Sequence, residues 1–479
     1  MGGNKAVATV LLVMTALRLI AIAITPLGLD VEEAQYWLWS QTPDGGYFSK
    51  PPMIAWWIGL TTAIAGNTEF GVRMAAPFLQ LISALLIWRI AARAYDALAG
   101  KLAALIWISL PASAIGSVVM STDSPMLLFL LAMILVLTPL ARGERVSWIE
   151  AALAGIFGGL AMMSKYAAIY LPIGLVLWWC WQGRLDRTTN PRHVLLFLAG
   201  MMVSLSPNLI WNLNHGFVTV GHLGHNANLD GGEYSFLRAV NFLLSQAGVI
   251  GPLMMLCWVF SLISTNGSKL SRFWIALSIP ALATITVQAF ISDANANWAL
   301  ASWPGAIILT SGWLSGNWRG WSRAFGQAAI GVNFILCGIL LAAVMAGSLG
   351  PLTPASDPLR RLRGWDTHVT DLQKVLEQWP AEAIVTERRG VAAKLFWGLR
   401  DQHIPVELID VNGVPDNHYE HRHPWTPTQG RKVILVNETS TADNPALRID
   451  QAPSQSSIEI SQRRERVLYF HPAVESGEH

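Results

Sequence analysis

The run AVATVLLVMTALRLIAIAITPL at residues 6–27 is followed at once by Gly28-Leu29-Asp30-Val31-Glu32-Glu33-Ala34-Gln35-Tyr36-Trp37, and this junction decides how the chain reads. The apolar run carries one charge, Arg18. Its length matches the ~20 apolar residues needed to cross a hydrocarbon core about 30 Å thick. Three carboxylates then crowd the exit. A crossing that ends in concentrated charge belongs to a chain divided between lipid and water.

Composition extends that division to all 479 residues, which are 52% hydrophobic and only 13% charged. Soluble chains carry about 25% charged residues. Of the charges here, 30 fall in residues 362–479 and 34 in the longer stretch 1–361. A single soluble globular enzyme, a disordered chain and a fibrous repeat are excluded. The net charge of +2 gives no footing for nucleic acid as a partner. Cys180, Cys257 and Cys337 lie inside apolar runs and build neither a disulfide framework nor a zinc set. Many of the 22 tryptophans, among them Trp37, Trp39, Trp56, Trp57, Trp178 and Trp181, stand near the ends of apolar runs, as in an interfacial belt.

Further apolar runs predict spans near 71–93, 101–119, 124–141, 149–163, 166–182, 193–211, 244–264, 273–291, 299–315 and 326–347, about eleven with the first. Alternate ends of these spans carry 13 basic residues, including Lys5, Arg89, Arg93, Lys101, Arg142 and Arg145. The opposite short loops carry mainly Lys50, Arg73, Lys165 and Arg238. Positive charge stays on the cytoplasmic side. The N-terminus is therefore expected inside, the first run is a retained anchor, and the tail lies outside. The expected architecture is a polytopic α-helical membrane domain over 1–349 with an external loop 28–70, then a soluble α/β domain over 350–479. In the tail, Asp366 to Gln378 has helical period, while Ala383–Val385, Val433–Val436 and Val467–Phe470 read as strands.

Chemistry is then sought on the outer face. Asp30, Glu32 and Glu33 open a helix, where a cap and the helix dipole favour acid. They also suit a general base at the membrane surface. Both readings stand together, since one carboxylate can cap while another reacts. Gly45-Gly46-Tyr47-Phe48-Ser49-Lys50-Pro51-Pro52 pins Lys50 between a Gly-Gly turn and a stiff Pro-Pro exit. Lys50 either snorkels at the headgroups or meets a lipid phosphate as a leaving group. Asp123, in Ser121-Thr122-Asp123, either caps the next span or serves as a second acid. Lys165 and Tyr166 share another external turn, and Asn297 and Trp298 offer polar and stacking contacts to a sugar. His222 and His225 have His-x-x-His spacing without a third ligand, so no metal set is assigned, and a divalent cation stays open as a cofactor. No phosphate-binding Gly-rich motif is present, so an enzyme facing outward needs a donor already in the lipid.

These residues resemble a known group. Glu32-Glu33-Ala34-Gln35-Tyr36-Trp37 with Tyr47-Phe48-Ser49-Lys50-Pro51-Pro52 looks like the first external loop of bacterial GT-C glycosyltransferases, relatives of protein O-mannosyltransferases and the lipid A aminoarabinose transferase. The resemblance is closest to the lipopolysaccharide-modifying branch, which includes galacturonosyltransferases. It extends to Gly71-Val72-Arg73, Thr122-Asp123, Ser164-Lys165-Tyr166, Pro207–Asn212 and Asn297-Trp298. It implies a multi-pass protein of the bacterial inner membrane that moves a sugar from a polyprenyl-phosphate carrier to a lipid or glycolipid acceptor, with inversion, on the periplasmic side. Glu32 stands where the family has Asp, so either Glu32 or Asp30 acts as base, with Glu33 beside them and Asp123 as second acid. Lys50 and Tyr47, with Arg73 and Lys165, would bind the donor phosphate. Tyr36, Asn297, Trp298 and His225 would contact sugar or acceptor. A secondary transporter, a protein O-glycosyltransferase and a non-catalytic assembly protein are the alternatives. A transporter expects charge at the bilayer midplane, and only Arg18 is there.

Overall fold

The computed structural model describes residues 2–182, 190–227, 234–265, 267–350, 357–442, 444–461 and 464–476. Helix α1 (Gly2–Ile24) is the first crossing. The loop expected after it is largely helical: α2 (Val31–Ser40), α3 (Met53–Ala65) and α4 (Glu69–Arg73) follow in turn. The apolar α3 has 13 residues, about 20 Å at 1.5 Å per residue, too short to cross.

The membrane helices continue as α5 (Ala75–Ala94), α6 (Ala97–Ser109), α7 (Pro111–Ile115), α8 (Asp123–Ala141), α9 (Trp148–Ser164) and α10 (Tyr170–Trp181). After them come α11 (Pro191–Asn214), α12 (Val218–Ala227), α13 (Phe236–Ile250), α14 (Pro252–Ile263), α15 (Lys269–Ile291), α16 (Trp303–Gly316) and α17 (Gly320–Ala346). Among the described residues six helices are long and apolar enough to cross a membrane, seven with one bent pair counted as a span. The expected count of about eleven is not confirmed by these long helices: other apolar helices, such as Ala97–Ser109, Trp148–Ser164 and Tyr166–Trp181, are shorter, and two of the expected runs are interrupted for local reasons. Pro111 splits the run at 101–119, because proline has no N–H to give α6. The run at 244–264 bends by 108° where Gly251, at φ +94°, and Pro252 end one helix and open the next.

The break at Pro111 accounts for the buried charge in α1. The last carbonyls of α6 face a helix end without partners. Arg18 Nη2 donates to Ile108 O at 2.6 Å, and Cys337 Sγ of α17 donates to Ser109 O at 3.0 Å. A cation at a helix C-terminus is also favoured by the helix dipole.

The tail contains α18 (Trp365–Gln378), β1 (Ala383–Thr386), α19 (Arg389–Gly398), β2 (Val406–Leu408), α20 (His418–Arg422), β3 (Lys432–Asn437), β4 (Leu447–Ile449), β5 (Ser454–Ser461) and β6 (Arg464–Glu475). The sheet order is β2-β1-β3-β6-β4, and β5 also pairs with β6. β1 runs parallel to β2 and β3, whereas β6 is antiparallel to β3, β4 and β5. Side chains alternate across a strand, so β1 sends Ile384 to one face and Val385 to the other, and both are buried. The Ile384 face packs on Leu372 of α18 and Leu395 of α19. That core does not stop at the tail. It continues into Leu29, Ala34, Trp37, Ile58 and Val72 of the first loop, so the tail and the loop share one apolar interior.

The tightest helix contact joins α9 and α11. A Cβ on Gly155 would lie 2.0 Å from Phe197 O, and one on Gly200 would lie 2.4 Å from Ala152 O. Small residues that let backbones approach are the usual glue between helices in lipid. Gly155→Val should cost ~1–3 kcal/mol, the usual scale of overpacking. Thermal unfolding of the detergent-solubilised protein should show a lower midpoint for this variant, and an unchanged midpoint would disprove the close approach.

Candidate active site

Asp30 starts the site by capping α2. Its Oδ2 accepts from Glu32 N at 3.1 Å, and Glu33 Oε2 accepts from Asp30 N at 2.9 Å, a reciprocal capping box. Burial is the main reason the Asp30 carboxyl is pushed up from its ordinary value, and the neighbouring Glu33 adds to it.

Glu33 points inward. Arg73 Nε donates to its Oε1 at 2.9 Å and Arg73 Nη2 to its Oε2 at 2.8 Å. Met120 N also donates to Oε1, at 3.0 Å. Arg73 spends its remaining reach on Leu27 O at 3.0 Å and Gly28 O at 2.8 Å. Glu33 is 0% and Arg73 2% exposed. Burial disfavours the Glu33 carboxylate, but Arg73 and the two backbone N–H groups outweigh it and hold the carboxyl below its usual range. Both residues were expected at the chemistry, as acid and as phosphate ligand. Here their polar atoms are turned on each other and on the backbone.

One residue earlier on α2, Glu32 faces the other way. Arg389 Nη2 of α19 lies 2.5 Å from Glu32 Oε1, and Arg389 Nε donates to Gln35 Oε1 at 2.9 Å. Surrounding protein works to raise the Glu32 carboxyl, but Arg389, Lys50 and the Tyr36 hydroxyl overrule it and keep the group ionised below its ordinary value. Tyr36 is pushed the opposite way, first by burial and then by Glu32.

The Gly-Gly loop displays Lys50. Tyr47 stacks on Trp39 with centroids 4.6 Å apart, and its hydroxyl donates to Trp39 O at 2.9 Å and accepts from Asp44 N at 3.1 Å. The Tyr47 hydroxyl thus serves the loop rather than an open ligand site, a change from its expected role beside the donor phosphate. Thr219 Oγ1 donates to Tyr47 O at 2.8 Å and Tyr47 N to Lys50 O at 3.1 Å, closing the turn. The glycines are required by proximity rather than by backbone angle. A Cβ on Gly46 would lie 2.6 Å from Trp211 Cε3 and 2.7 Å from Asn208 Nδ2 of α11. Trp211 Nε1 donates to Asp44 Oδ2 at 2.8 Å and Asn208 Nδ2 to Gly45 O at 3.0 Å.

Lys50 itself is half-buried, and among the described residues no acceptor lies within hydrogen-bond distance of its ammonium. Burial is the main cause that lowers it from its ordinary value; Glu32 pulls the other way, and Lys165 and Arg389 add to the lowering. Across from it, Lys165 Nζ lies 2.7 Å from Asp123 Oδ1, and Asn297 Nδ2 donates to Asp123 Oδ2 at 3.1 Å. Glu32, Tyr36, Lys50, Asp123, Lys165 and Asn297 are therefore brought into one cluster. Trp298 is partly buried against the membrane-helix core, and the side chain of His225 lies outside the described residues. Arg389 is the member that sequence reading missed. Nothing around Arg388-Arg389-Gly390 signals a partner 357 positions earlier.

An apolar cavity of about 500 Å³ opens beside Asp123 and Asn297, lined chiefly by Trp107, Leu110, Val119, Leu127, Ile250 and Trp303. The cavity meets the charged cluster at Asp123. In that cluster Lys50, Lys165 and Arg389 act on Glu32 and Asp123, three cations to two carboxylates. Among the described residues no three His, Cys, Asp or Glu side chains converge as a metal set.

The chain has relatives among known proteins in both sequence and fold. A family model described as dolichyl-phosphate-mannose-protein mannosyltransferase matches residues 49–211. The fold matches ArnT from Cupriavidus metallidurans bound to undecaprenyl phosphate, with a TM-score of 0.67, 13% identity and 98% of each chain covered. It also matches the oligosaccharyltransferase of Archaeoglobus fulgidus, with a TM-score of 0.51, 13% identity, and coverage of 81% of this chain and 63% of that one. In sequence and in fold the chain is thus similar to membrane glycosyltransferases of the GT-C type. Among curated proteins it is similar to the lipid A galacturonosyltransferase RgtD of Rhizobium johnstonii, 29% identical over 463 residues and covering 94% of each chain.

The Glu33–Arg73 pair should behave as structure. Breaking a buried pair by removing one partner costs ~3–5 kcal/mol, so Glu33→Gln should lose folded, monodisperse protein on size-exclusion chromatography. The folded carboxyl is lowered from 4.5, so its contribution is present above that value and disappears as pH falls through the lowered folded one. The wild type should therefore lose its melting temperature in acid. An acid-insensitive melting temperature would count against this role.

Proposed function

We propose that the protein transfers a sugar from a polyprenyl-phosphate carrier to a lipid A-type glycolipid, with inversion, on the periplasmic face of the bacterial inner membrane. In this reading the N-terminus is cytoplasmic, and the loop helices and the tail, with 1–349 and 350–479 as the two domains, are periplasmic. The observation that carries it is the ammonium of Lys50, which has no hydrogen-bond partner among the described residues and is coupled electrostatically to Glu32 and to Asp123, itself a lining residue of the apolar cavity. A prenyl chain suits the cavity, and its phosphate suits Lys50. The likeness to RgtD along nearly the whole chain supports lipid A as acceptor and galacturonic acid as the sugar.

The acceptor hydroxyl oxygen attacks the anomeric carbon from the face opposite the phosphate. Glu32 takes the hydroxyl proton as the new glycosidic bond forms. The anomeric carbon–oxygen bond to the carrier breaks, and the electron pair leaves on the prenyl phosphate. Lys50, with Lys165 nearby, meets that growing charge, which a water-poor site makes worth more than the same contact in solvent. Asp123, fixed by Lys165 and Asn297, orients the reacting sugar, and Tyr36 borders Glu32. Asp30, Glu33, Arg73 and Tyr47 hold this geometry. Trp298 is assigned to acceptor contact.

Membranes carrying Glu32→Gln should lose ~10²–10⁴-fold in turnover, the usual contribution of a positioned base. Lys50→Ala should lose ~10²–10³-fold, the scale for one electrostatic stabiliser. Mass spectrometry of lipid A after incubation with the prenyl-phosphate sugar reads both. Because Lys50 is lowered from 10.5 and must be protonated to meet a phosphate, the alkaline limb of kcat/KM for donor should fall below that value. Near-normal transfer by both variants at equal expression would overturn the assignment.

A further inference from the structure

We infer that Arg389, on the tail helix α19, is a positioning residue of the transfer site, fixing the Glu32 carboxylate so that the tail completes the active site. The inference rests on Glu32 acting as base. Arg389 grips at two points, with Nη2 2.5 Å from Glu32 Oε1 and Nε donating to Gln35 Oε1 at 2.9 Å. A planar guanidinium held twice fixes the orientation of the carboxylate it meets, not merely its charge. The pair is not sealed in: Arg389 is 37% and Glu32 42% exposed, so an acceptor can reach the carboxylate.

Arg389 is not what attaches the tail to the loop. Trp397 of α19 meets Trp37 edge-on at 4.9 Å, and its Nε1 donates to Glu69 Oε1 at 3.0 Å. Lys394 Nζ donates to Leu29 O, and the two segments share the apolar core already described. With docking secured elsewhere, the Arg389 pair is left for the site.

The groups around Glu32 set the expected response. Arg389 comes from α19, Lys50 from the Gly-Gly loop, Tyr36 and Asp30 from α2 and its cap, and Tyr419 from α20 stands by the pair. Asp123 and Lys165 act on Tyr36 and Lys50 from across the site. Removing Arg389 leaves Lys50 as the main cation facing Glu32, so the folded carboxyl rises and the base is lost at a higher pH.

The test is the pH profile of kcat/KM for Arg389→Gln and Arg389→Lys in the full-length protein, with Glu32→Gln as reference and melting temperature alongside. Arg389→Gln should move the acid limb upward by about one pH unit, within the usual effect of an adjacent opposite charge. It should lower kcat about tenfold, with unchanged melting temperature and donor KM. Arg389→Lys keeps the charge but not the fork, so the limb should stay and kcat should fall. An unmoved limb in Arg389→Gln, or equal uniform losses in both variants across the pH range, overturns the inference. Should Arg389→Gln fail to fold, wild-type kcat in Arg389→Lys overturns it and reduced kcat with an unmoved limb supports it. If Glu32→Gln is inactive while both Arg389 variants match wild type, only this inference fails. If Glu32→Gln keeps its turnover, the base assignment fails instead.

Discussion

The buried pair of Glu33 and Arg73 is the constraint on which the site depends. One carboxylate accepts from Arg73, Asp30 N and Met120 N, and one guanidinium also holds Leu27 O and Gly28 O. Those contacts tie the end of α1, the start of α2, the helix that leads into α5 and the segment before α8. Two charges out of water repay their desolvation only when geometry and further hydrogen bonds are near complete, and here they are. The consequence is a fixed orientation for α2. With Glu33 locked inward, the helix turn of about 100° per residue sends Glu32 outward to Lys50 and Arg389. The same helix thus carries one acid as an anchor and presents the next, in the proposed mechanism, as the base.

The second constraint is apolar. The core beneath the sheet continues through α19 into the first loop, so no boundary of water separates the tail from the catalytic face. A charge-rich tail of soluble composition is therefore compatible with a role inside the site. Its basic residues are distributed accordingly: Lys394 reaches the loop backbone, Arg389 the carboxylate and Arg422 approaches Asp44 at 3.9 Å. Each contact falls on the segment 28–70, which includes the loop that displays Lys50.

Much of this was legible in the sequence, and the limits have physical causes. The acidic cluster was visible because Asp30 and Glu33 have capping spacing and follow an apolar run. The division of labour between Glu32 and Glu33 was not, because adjacent residues look alike until a partner selects a helix face. Lys50, Asp123, Lys165 and Asn297 were each readable at the ends of apolar runs. The tail strands were readable from their continuous Val and Ile. Pro111 and Gly251-Pro252 stood in the sequence as breakers, yet hydropathy averaged over a window passes across them. Gly45-Gly46 read as a turn, whereas its cause is the close approach of α11, a long-range fact. Arg389 depends on a contact between chain ends, for which local pattern carries no trace.

The most direct test of the account is a structure of the full-length protein in lipid with polyprenyl phosphate bound. The account predicts the phosphate within hydrogen-bond distance of Lys50 Nζ, on the side of Glu32 and Asp123, with the prenyl chain entering the cavity beside Asn297. A phosphate bound elsewhere, with the Lys50 ammonium unoccupied, would contradict it.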